Sequence, residues 1–326
     1  MKKIIALLMI AVFCFSLVAC DLGPTLPGAE NESNDSTPAQ DLAVATPVTV
    51  NDYAKISLFK VTTGKKVTAS MGDSIYYEND TAGETYVDIV LDFTNLTAEN
   101  IDSEEALLAG AIGANGQAYT DCLYLIETSN AHNLSRYENI APLSTVRLHC
   151  TLSIPESETS LSLRLNINKQ KYAINYTLGE TISSAKPIGF GETIEAKDYA
   201  TLQFIGTEYT DDLCPSDTSS VYSHYEIDNP INTYLVVKFD ITNLTTDAKE
   251  SDSFVGIKAQ YMNRYTYTGF TVVEDEDQKG FDRYEDILPL STRHFYCLIE
   301  VPKAVTETDV SITIAFNGQE YIYHQK

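Results

Sequence analysis

Side chains that could carry out chemistry are scattered along this chain rather than clustered. The five histidines are His132, His149, His224, His294 and His324. None stands two or four residues from another, the spacing that places metal ligands on one face of a strand or helix. No Cys-x-x-Cys, G-x-S-x-G, H-E-x-x-H or glycine-rich phosphate-binding motif occurs. We therefore expect no catalytic residue, no metal site, no cofactor, and a protein that is not an enzyme.

The acidic balance of the chain limits its partners. Lys and Arg number 22 and Asp and Glu number 46, which gives a formal net charge of −24. Such a field repels phosphate backbones and anionic lipid headgroups, so nucleic acid is excluded as a partner. The densest acidic run, 274–277, lacks the turn glycine and alternating ligands of a calcium loop and is interpreted as a solvated hairpin tip.

One alternating stretch occurs twice in the chain. Residues 86–97 read YVDIVLDFTNLT and residues 234–245 read YLVVKFDITNLT. Apolar residues alternate with polar ones in each, which is typical of a half-buried β-strand because successive side chains point to opposite faces. Asn95 and Asn243 are expected to end these strands in a turn, through left-handed backbone geometry and a hydrogen bond to their own backbone.

The repeat extends well beyond that strand. RYENIAPLST at 136–145 matches RYEDILPLST at 283–292, an offset of 147 residues. Short alternating strands separated by Gly, Asn, Asp and Ser favour β-sandwiches, and the length is sufficient for two cores. The predicted fold is all-β, with two tandem β-sandwich domains at 48–179 and 192–326 joined by a linker at 180–191.

The repeated Arg-Tyr-Glu tripeptide at 136–138 and 283–285 is a duplicated charged cluster outside the strands. A structural interpretation is a loop pinned by an Arg–Glu pair over a packed tyrosine. The alternative is a contact patch for a partner. The sequence favours the structural interpretation, since paired charges commonly hold loops in place.

Four cysteines lie in the two predicted domains: Cys122, Cys150, Cys214 and Cys297. Cys150 and Cys297 are equivalent and fall on the inward phase of a repeated strand, where a thiol packs as a small hydrophobe. Export would permit the bridges Cys122–Cys150 and Cys214–Cys297, each worth roughly 3–4 kcal/mol. Cys122 and Cys214 occupy different places in the two copies, so bridged and free thiols remain open alternatives.

The N-terminus has the pattern of an export signal. Lys2 and Lys3 precede an apolar run at 4–17, and residues 1–19 are predicted to be a signal peptide. The L-V-A-C ending at 17–20 resembles the bacterial lipobox. That resemblance implies cleavage before Cys20 and a diacylglycerol on its sulfur. Together with a further acyl chain such as palmitate, this would hold the protein on the extracytoplasmic face of a bacterial cell membrane. Residues 20–47, rich in Pro, Asn, Ser and Asp, are predicted to be a flexible tether.

The order of turn motifs points to one family. A G-E-T-I sequence at 191–194, a strand ending in T-N-L, a P-L-S-T turn and a strand ending in I-P or V-P occur in sequence. This order resembles the telokin-like, immunoglobulin-like domain of unknown function found in bacterial surface lipoproteins. The resemblance implies a sandwich fold outside the cell and no established activity. The chain departs from the pattern at Leu143 and Leu290, where the turn proline is usually followed by glycine.

These observations favour a cell-surface, lipid-anchored module for binding or adhesion. Its partner is expected to be an extracellular or envelope protein or glycan. Loops that differ between the copies are the expected contact sites, because function on such scaffolds lies in loops. The tyrosines predicted to make contact are Tyr76, Tyr77, Tyr222 and Tyr225. The alternatives are an envelope-associated hydrolase or accessory protein, and a passive spacer.

Overall fold

The computed structural model describes residues 38–72, 75–128, 130–262 and 265–325. The predicted signal peptide, Cys20 and the first part of the predicted tether lie outside the described residues. Where it is described, the chain consists of β-strands and two short 3-10 helices, arranged as two sandwich halves. The predicted all-β class with two sandwiches is confirmed. No helix within these residues is long and apolar enough to cross a membrane.

Two sheets enclose the core of the first half. Its strands are β1 Gln40–Asp41, β2 Val48–Val50, β3 Ala54–Gly64, β4 Lys66–Thr68, β5 Tyr76–Glu78, β6 Glu84–Asn95, β7 Ile101–Asp102, β8 Leu108–Gly113, β9 Ala118–Tyr119, β10 Cys122–Thr128, β11 Asn133–Ser135, β12 Asn139–Ile140, β13 Thr145–Pro155, β14 Ser160–Ile167, β15 Gln170–Thr177 and β16 Ile182–Ser183. One sheet has the order β1-β15-β14-β8-β9 and the other β11-β10-β13-β6-β3-β16. The alternating residues of β6 that were predicted to point inward are buried between them: Val87, Ile89, Leu91 and Phe93.

The second half repeats this arrangement. Its strands are β17 Lys186–Pro187, β18 Thr193–Ala196, β19 Ala200–Thr210, β20 Asp212–Leu213, β21 Tyr225–Glu226, β22 Asn232–Asn243, β23 Lys249–Glu250, β24 Val255–Tyr261, β25 Tyr265–Thr268, β26 Phe270–Glu274, β27 Phe281–Asp282, β28 Asp286–Ile287, β29 Thr292–Pro302, β30 Val310–Phe316 and β31 Gln319–Gln325, with 3-10 helices at Ser251–Ser253 and Lys303–Val305. The sheets have the orders β17-β31-β30-β24-β25 and β18-β19-β22-β29-β26-β27. The inward residues of β22 are again fully buried: Leu235, Val237, Phe239 and Ile241.

Each copy begins with a short strand that the sequence did not predict. β1 pairs in parallel with β15, and β17 pairs in parallel with β31. Leu42, directly after β1, is buried in the core of the first half. The last residues of the predicted tether 20–47 therefore pack on the first half, and the predicted linker 180–191 supplies one short strand to each half. A strand of two residues shows no alternation, so the pattern could not indicate it.

The asparagines that end the repeated strands act as buried braces. Neither has the expected left-handed backbone. The Asn95 side chain is fully buried; its amide donates to the carbonyls of Ile140 at 2.9 Å and Glu99 at 2.7 Å, and its oxygen accepts from the backbone and hydroxyl of Thr97. Asn243 makes the four equivalent bonds in the second half. The expectation of a hydrogen bond to local backbone is confirmed, and the expected left-handed geometry is wrong.

The two halves contact each other through buried charged groups. Lys60 Nζ lies 2.7 Å from a carboxylate oxygen of Glu320, which is buried. Burial alone would raise the pKa of Glu320, but the charge and hydrogen bond of Lys60, together with the charges of Lys258 and Arg147, outweigh it and hold that pKa below its usual range. Arg147 donates to the carbonyl of Gly318 at 2.8 Å. The halves are therefore joined by specific polar contacts as well as by the chain.

Gly256 tests this contact between the halves. A Cβ at this position would stand 2.7 Å from the Cα of Met71. Because the obstacle is backbone, side-chain rotation cannot relieve it. Gly256→Ala is expected to lower the free energy of unfolding in urea by about 1–3 kcal/mol. Gly64→Ala is the control, since its Cβ would meet nothing closer than 3.7 Å. Equal stability of the two variants would contradict the close contact.

Candidate functional site

The most closely repeated segment forms an exposed loop in each half. Residues 136–145 and 283–292, the tyrosine–leucine loops, lead into the long strands β13 and β29. Tyr137 is 63% exposed and Tyr284 is 59% exposed. The guanidinium carbon of the preceding arginine lies 4.6 Å from the ring centroid in the first loop and 5.5 Å in the second. Each half therefore presents an accessible tyrosine beside an arginine.

The same loops present a leucine in an unfavourable backbone conformation. Leu143 has a φ of 58° and Leu290 a φ of 60°. Their N–H groups donate to the carbonyls of Asn95 and Asn243 at 2.9 Å and 2.8 Å, which fixes the turn. Left-handed geometry costs an L-residue roughly 1–2 kcal/mol that glycine avoids. Both leucines are 77% exposed, so burial does not offset that cost. Stability of the fold does not account for leucine at these positions.

The loops are pinned differently from the prediction. Arg136 pairs with Glu104 at 3.0 Å, and Glu285 pairs with Arg293 at 2.6 Å. The expected Arg–Glu pair within the tripeptide is not formed, and its tyrosine is exposed rather than packed. In the first loop the φ of 59° at Tyr137 breaks the extended backbone that would have placed Arg136 and Glu138 on one side. The positions outside the tripeptide that supply these partners could not be inferred from the repeat.

The four tyrosines predicted as contacts divide into two kinds. Tyr76 and Tyr222 are exposed on equivalent hairpins of the two halves. Tyr77 is half-buried in a small apolar cluster under the first hairpin. Tyr225 is half-buried, and its ring centroid lies 5.3 Å from that of Phe270. Tyr77 and Tyr225 therefore stabilise their hairpins, and Tyr76 and Tyr222 remain available to a partner.

A charged cluster that the sequence did not indicate lies beneath the first hairpin. His149 Nδ1 is 2.8 Å from Asp88 Oδ2, and His149 Nε2 is 3.3 Å from Glu127 Oε1. Thr151 donates to Asp88 at 2.9 Å, and Ser70 donates to Glu127 at 2.6 Å. All five side chains are buried or nearly so. Both ring nitrogens contact carboxylates, so this histidine has no nitrogen left to activate a nucleophile and acts in structure.

The cluster is an ion pair in the folded protein. Burial opposes a charge on His149, but the charge of Asp88 and hydrogen bonds to both carboxylates outweigh it and raise the pKa of His149 to about 9. Burial likewise opposes ionisation of Glu127, but its hydrogen bond to His149 and the nearby charges of His149 and Arg147 lower the pKa of Glu127 to about 2. The imidazolium therefore lies between two carboxylates at neutral pH.

Neither disulfide considered from the sequence is formed, because all four domain cysteines are free. Cys297 is buried and lies 3.3 Å from the hydroxyl of Thr271. Cys214 is exposed on a loop of the same half. Cys122 and Cys150 lie on the neighbouring strands β10 and β13, on the same face and two positions out of register, and burial and the nearby Cys122 thiol raise the pKa of the Cys150 thiol. Counting cysteines gave a plausible pairing but could not show that Cys214 is exposed while Cys297 is buried.

A cleft between the halves is one of the concave features of the described residues. Its volume is about 190 Å³. Its described lining includes Ser70, Arg147, Lys249, Gln319 and Glu320, and no histidine is among these lining residues. A single carboxylate, held by Lys60, is not the carboxylate pair that hydrolysis of a glycoside requires. The cleft therefore does not suggest a reaction.

The fold defines the class of this chain as a β-sandwich protein. No family model and no curated protein matches it. A solved structure that it resembles is that of an uncharacterized β-sandwich protein from Clostridium difficile 630, which is 27% identical. The match covers 44% of this chain and 95% of that chain, with a TM-score of 0.41.

Proposed function

We propose that the protein is a lipid-anchored, non-enzymatic binding module of the bacterial cell surface. In this proposal Cys20 carries the lipid, and two telokin-like, immunoglobulin-like halves each present a tyrosine–leucine loop to an extracellular protein. The observation that carries the proposal is the exposed leucine with positive φ at the same place in both halves, Leu143 and Leu290.

The composition of the loops supports a protein partner. Tyrosine and arginine are enriched among the residues that dominate binding energies at protein interfaces. An exposed leucine beside them adds apolar area for a partner to bury, roughly 1.5–3 kcal/mol when the side chain is fully covered. The net charge of −24 argues against a polyanionic ligand. Two loops on one chain permit bivalent binding, which can raise affinity by roughly a hundredfold or more without new contacts.

Replacing both leucines by glycine tests the effect of their side chains on binding without an expected loss of stability. The double variant L143G/L290G removes both exposed side chains and relieves the left-handed backbone. We expect its melting temperature to equal or exceed that of the wild type. We expect its affinity for the partner to fall at least tenfold, since two apolar contacts are lost.

The measurement uses the full chain in detergent, labelled with a fluorophore, on an array of extracellular proteins and cell-wall glycans. Ile231→Ser is the control, because Ile231 is another highly exposed apolar residue outside the loops. Equal binding by wild type and double variant would overturn the proposal. If the wild type bound selectively to a glycan and the double variant did not, the loops would still be the binding site, but the partner would be a glycan rather than a protein.

A further inference from the structure

A hairpin of the second half brings three different metal-binding side chains together. β20 and β21 pair with Asp212 opposite Glu226, and the loop between them carries Cys214 and His224. One ligand atom each from Asp212, Cys214 and His224 lies within 4.8 Å of the other two. His224 Nδ1 is 2.5 Å from Asp212 Oδ1. Asp212 and Cys214 are close in sequence, but His224 joins them only through the pairing of β20 with β21.

The equivalent hairpin of the first half differs from this one in the charges of its opposing residues. β4 and β5 pair with Lys66 opposite Glu78, and the two side chains form an ion pair of 3.5 Å. In the second half the opposing residues are Asp212 and Glu226, two carboxylates. Like charges directly opposite each other on paired strands are destabilising. The second hairpin therefore has no lysine opposite Glu226, and His224 is the basic side chain that contacts Asp212.

We propose that this hairpin binds a divalent transition-metal ion of the Zn²⁺ class through Asp212, Cys214 and His224. Thiolate, imidazole and carboxylate together suit Zn²⁺ and its neighbours, whereas Ca²⁺ and Mg²⁺ prefer oxygen ligands alone. Tetrahedral coordination places ligand atoms roughly 3.5 Å apart, so exposed side chains need only small movements. The Cys214 thiol releases its proton to solvent on binding, because the metal takes the thiolate.

Two neighbours support the ion without being required as ligands. Glu226 adds a second negative charge beside the site from the opposite strand. The ring centroid of Tyr222 lies 5.6 Å from that of His224, which limits rotation of the imidazole. Three protein ligands leave a fourth position toward solvent, where water or a group from another molecule can bind. The site lies apart from the tyrosine–leucine loops in sequence and does not depend on their function.

Cobalt provides a direct test because a Co²⁺–thiolate bond gives a charge-transfer absorption that carboxylate and imidazole do not. The full chain in detergent, under reducing conditions, is titrated with CoCl₂. We expect one equivalent to produce this band and one equivalent of Zn²⁺ to remove it. Cys214→Ser should abolish the band. His224→Gln and Asp212→Asn should each weaken Co²⁺ binding at least tenfold, and Glu226→Gln only a few-fold.

The chain contains a matched control for this site. His294 Nδ1 is also 2.5 Å from an aspartate oxygen, that of Asp240. His294→Gln is therefore expected to leave Co²⁺ binding unchanged. The proposal is overturned if no thiolate band forms, or if Cys214→Ser binds the metal as tightly as the wild type. An equal loss of binding in His294→Gln and His224→Gln would also overturn it, since binding would then not be specific to the hairpin.

Discussion

Replacing His149 by leucine is expected to lower the free energy of unfolding by about 3–5 kcal/mol, because it leaves a buried charge without its partner. His149 stands between Asp88 and Glu127, with both ring nitrogens in contact with carboxylates. Without the imidazolium, Asp88 and Glu127 lose the cation that both of them contact. Urea denaturation near pH 6, followed by circular dichroism, measures the loss.

The destabilisation caused by His149→Leu is also expected to depend on pH. The pKa of His149 is raised from 6.5 to about 9 in the folded protein. Its contribution is therefore fully present below pH 6.5 and is lost as pH rises through about 9. Glu127 has a folded pKa of about 2, so its contribution is present above its ordinary value near 4.5 and is lost as pH falls toward 2. The loss of unfolding free energy in His149→Leu should be greatest between these two pH ranges. It should become smaller toward pH 10, where His149 of the wild type is roughly fully deprotonated.

An exposed histidine–aspartate pair gives the control for this prediction. His294 contacts Asp240 at 2.5 Å but is exposed. His294→Leu is expected to change stability by less than about 1 kcal/mol, as exposed ion pairs usually do. A similar small change for His149→Leu, or a cost that does not vary with pH, would contradict the buried ion pair.

Replacing Asn95 by alanine is expected to cost about 3–5 kcal/mol, and Asn243→Ala a similar amount. Each amide makes four hydrogen bonds from a fully buried position. A typical intramolecular hydrogen bond contributes about 1 kcal/mol, and buried carbonyls left without a donor add a further penalty. Equilibrium denaturation of both variants measures whether the two asparagine side chains stabilise their halves by the same free energy.

Asn115 supplies the matched control. Its side-chain oxygen accepts from the N–H of Gln117 at 2.8 Å, which is the same local turn in an exposed position. Asn115→Ala is expected to cost under about 1 kcal/mol, since solvent replaces the lost bond. If Asn95→Ala and Asn243→Ala differed strongly from each other, the structural equivalence of the two halves would fail.

The period of two in β6 and β22 was sufficient to predict the fold class. Val87 and Leu235 fall on the buried phase in the structure as they do in the pattern. The polar phase was less informative, because alternation places Asp88 on the face of β6 opposite the core residues but does not indicate what covers that face. The segment that follows β3 covers that face of the sheet, and Asp88 and His149 are buried there as a pair. Which segment packs on that face depends on contacts between residues distant in sequence, and the alternation within one strand does not predict them.

The candidate sites were harder to derive from the sequence. Of the four tyrosines predicted to make contact, Tyr76 and Tyr222 are exposed, while Tyr77 and Tyr225 are half-buried; contact with a partner stays a prediction. The departure from glycine at Leu143 and Leu290 was visible in the sequence, but its exposure and positive φ required coordinates. The Asp212–Cys214–His224 group was missed because a hairpin, rather than a short spacing, brings its members together.

The central claim is that both halves bind a partner through the same loop, and single glycine variants test it most directly. Binding of the full chain to the protein identified on the array is measured for Leu143→Gly, Leu290→Gly and the double variant. We expect each single variant to bind roughly tenfold or more weakly, because bivalent binding is lost, and the double variant to bind more weakly than either. A double variant that folds and still binds as tightly as the wild type would contradict it.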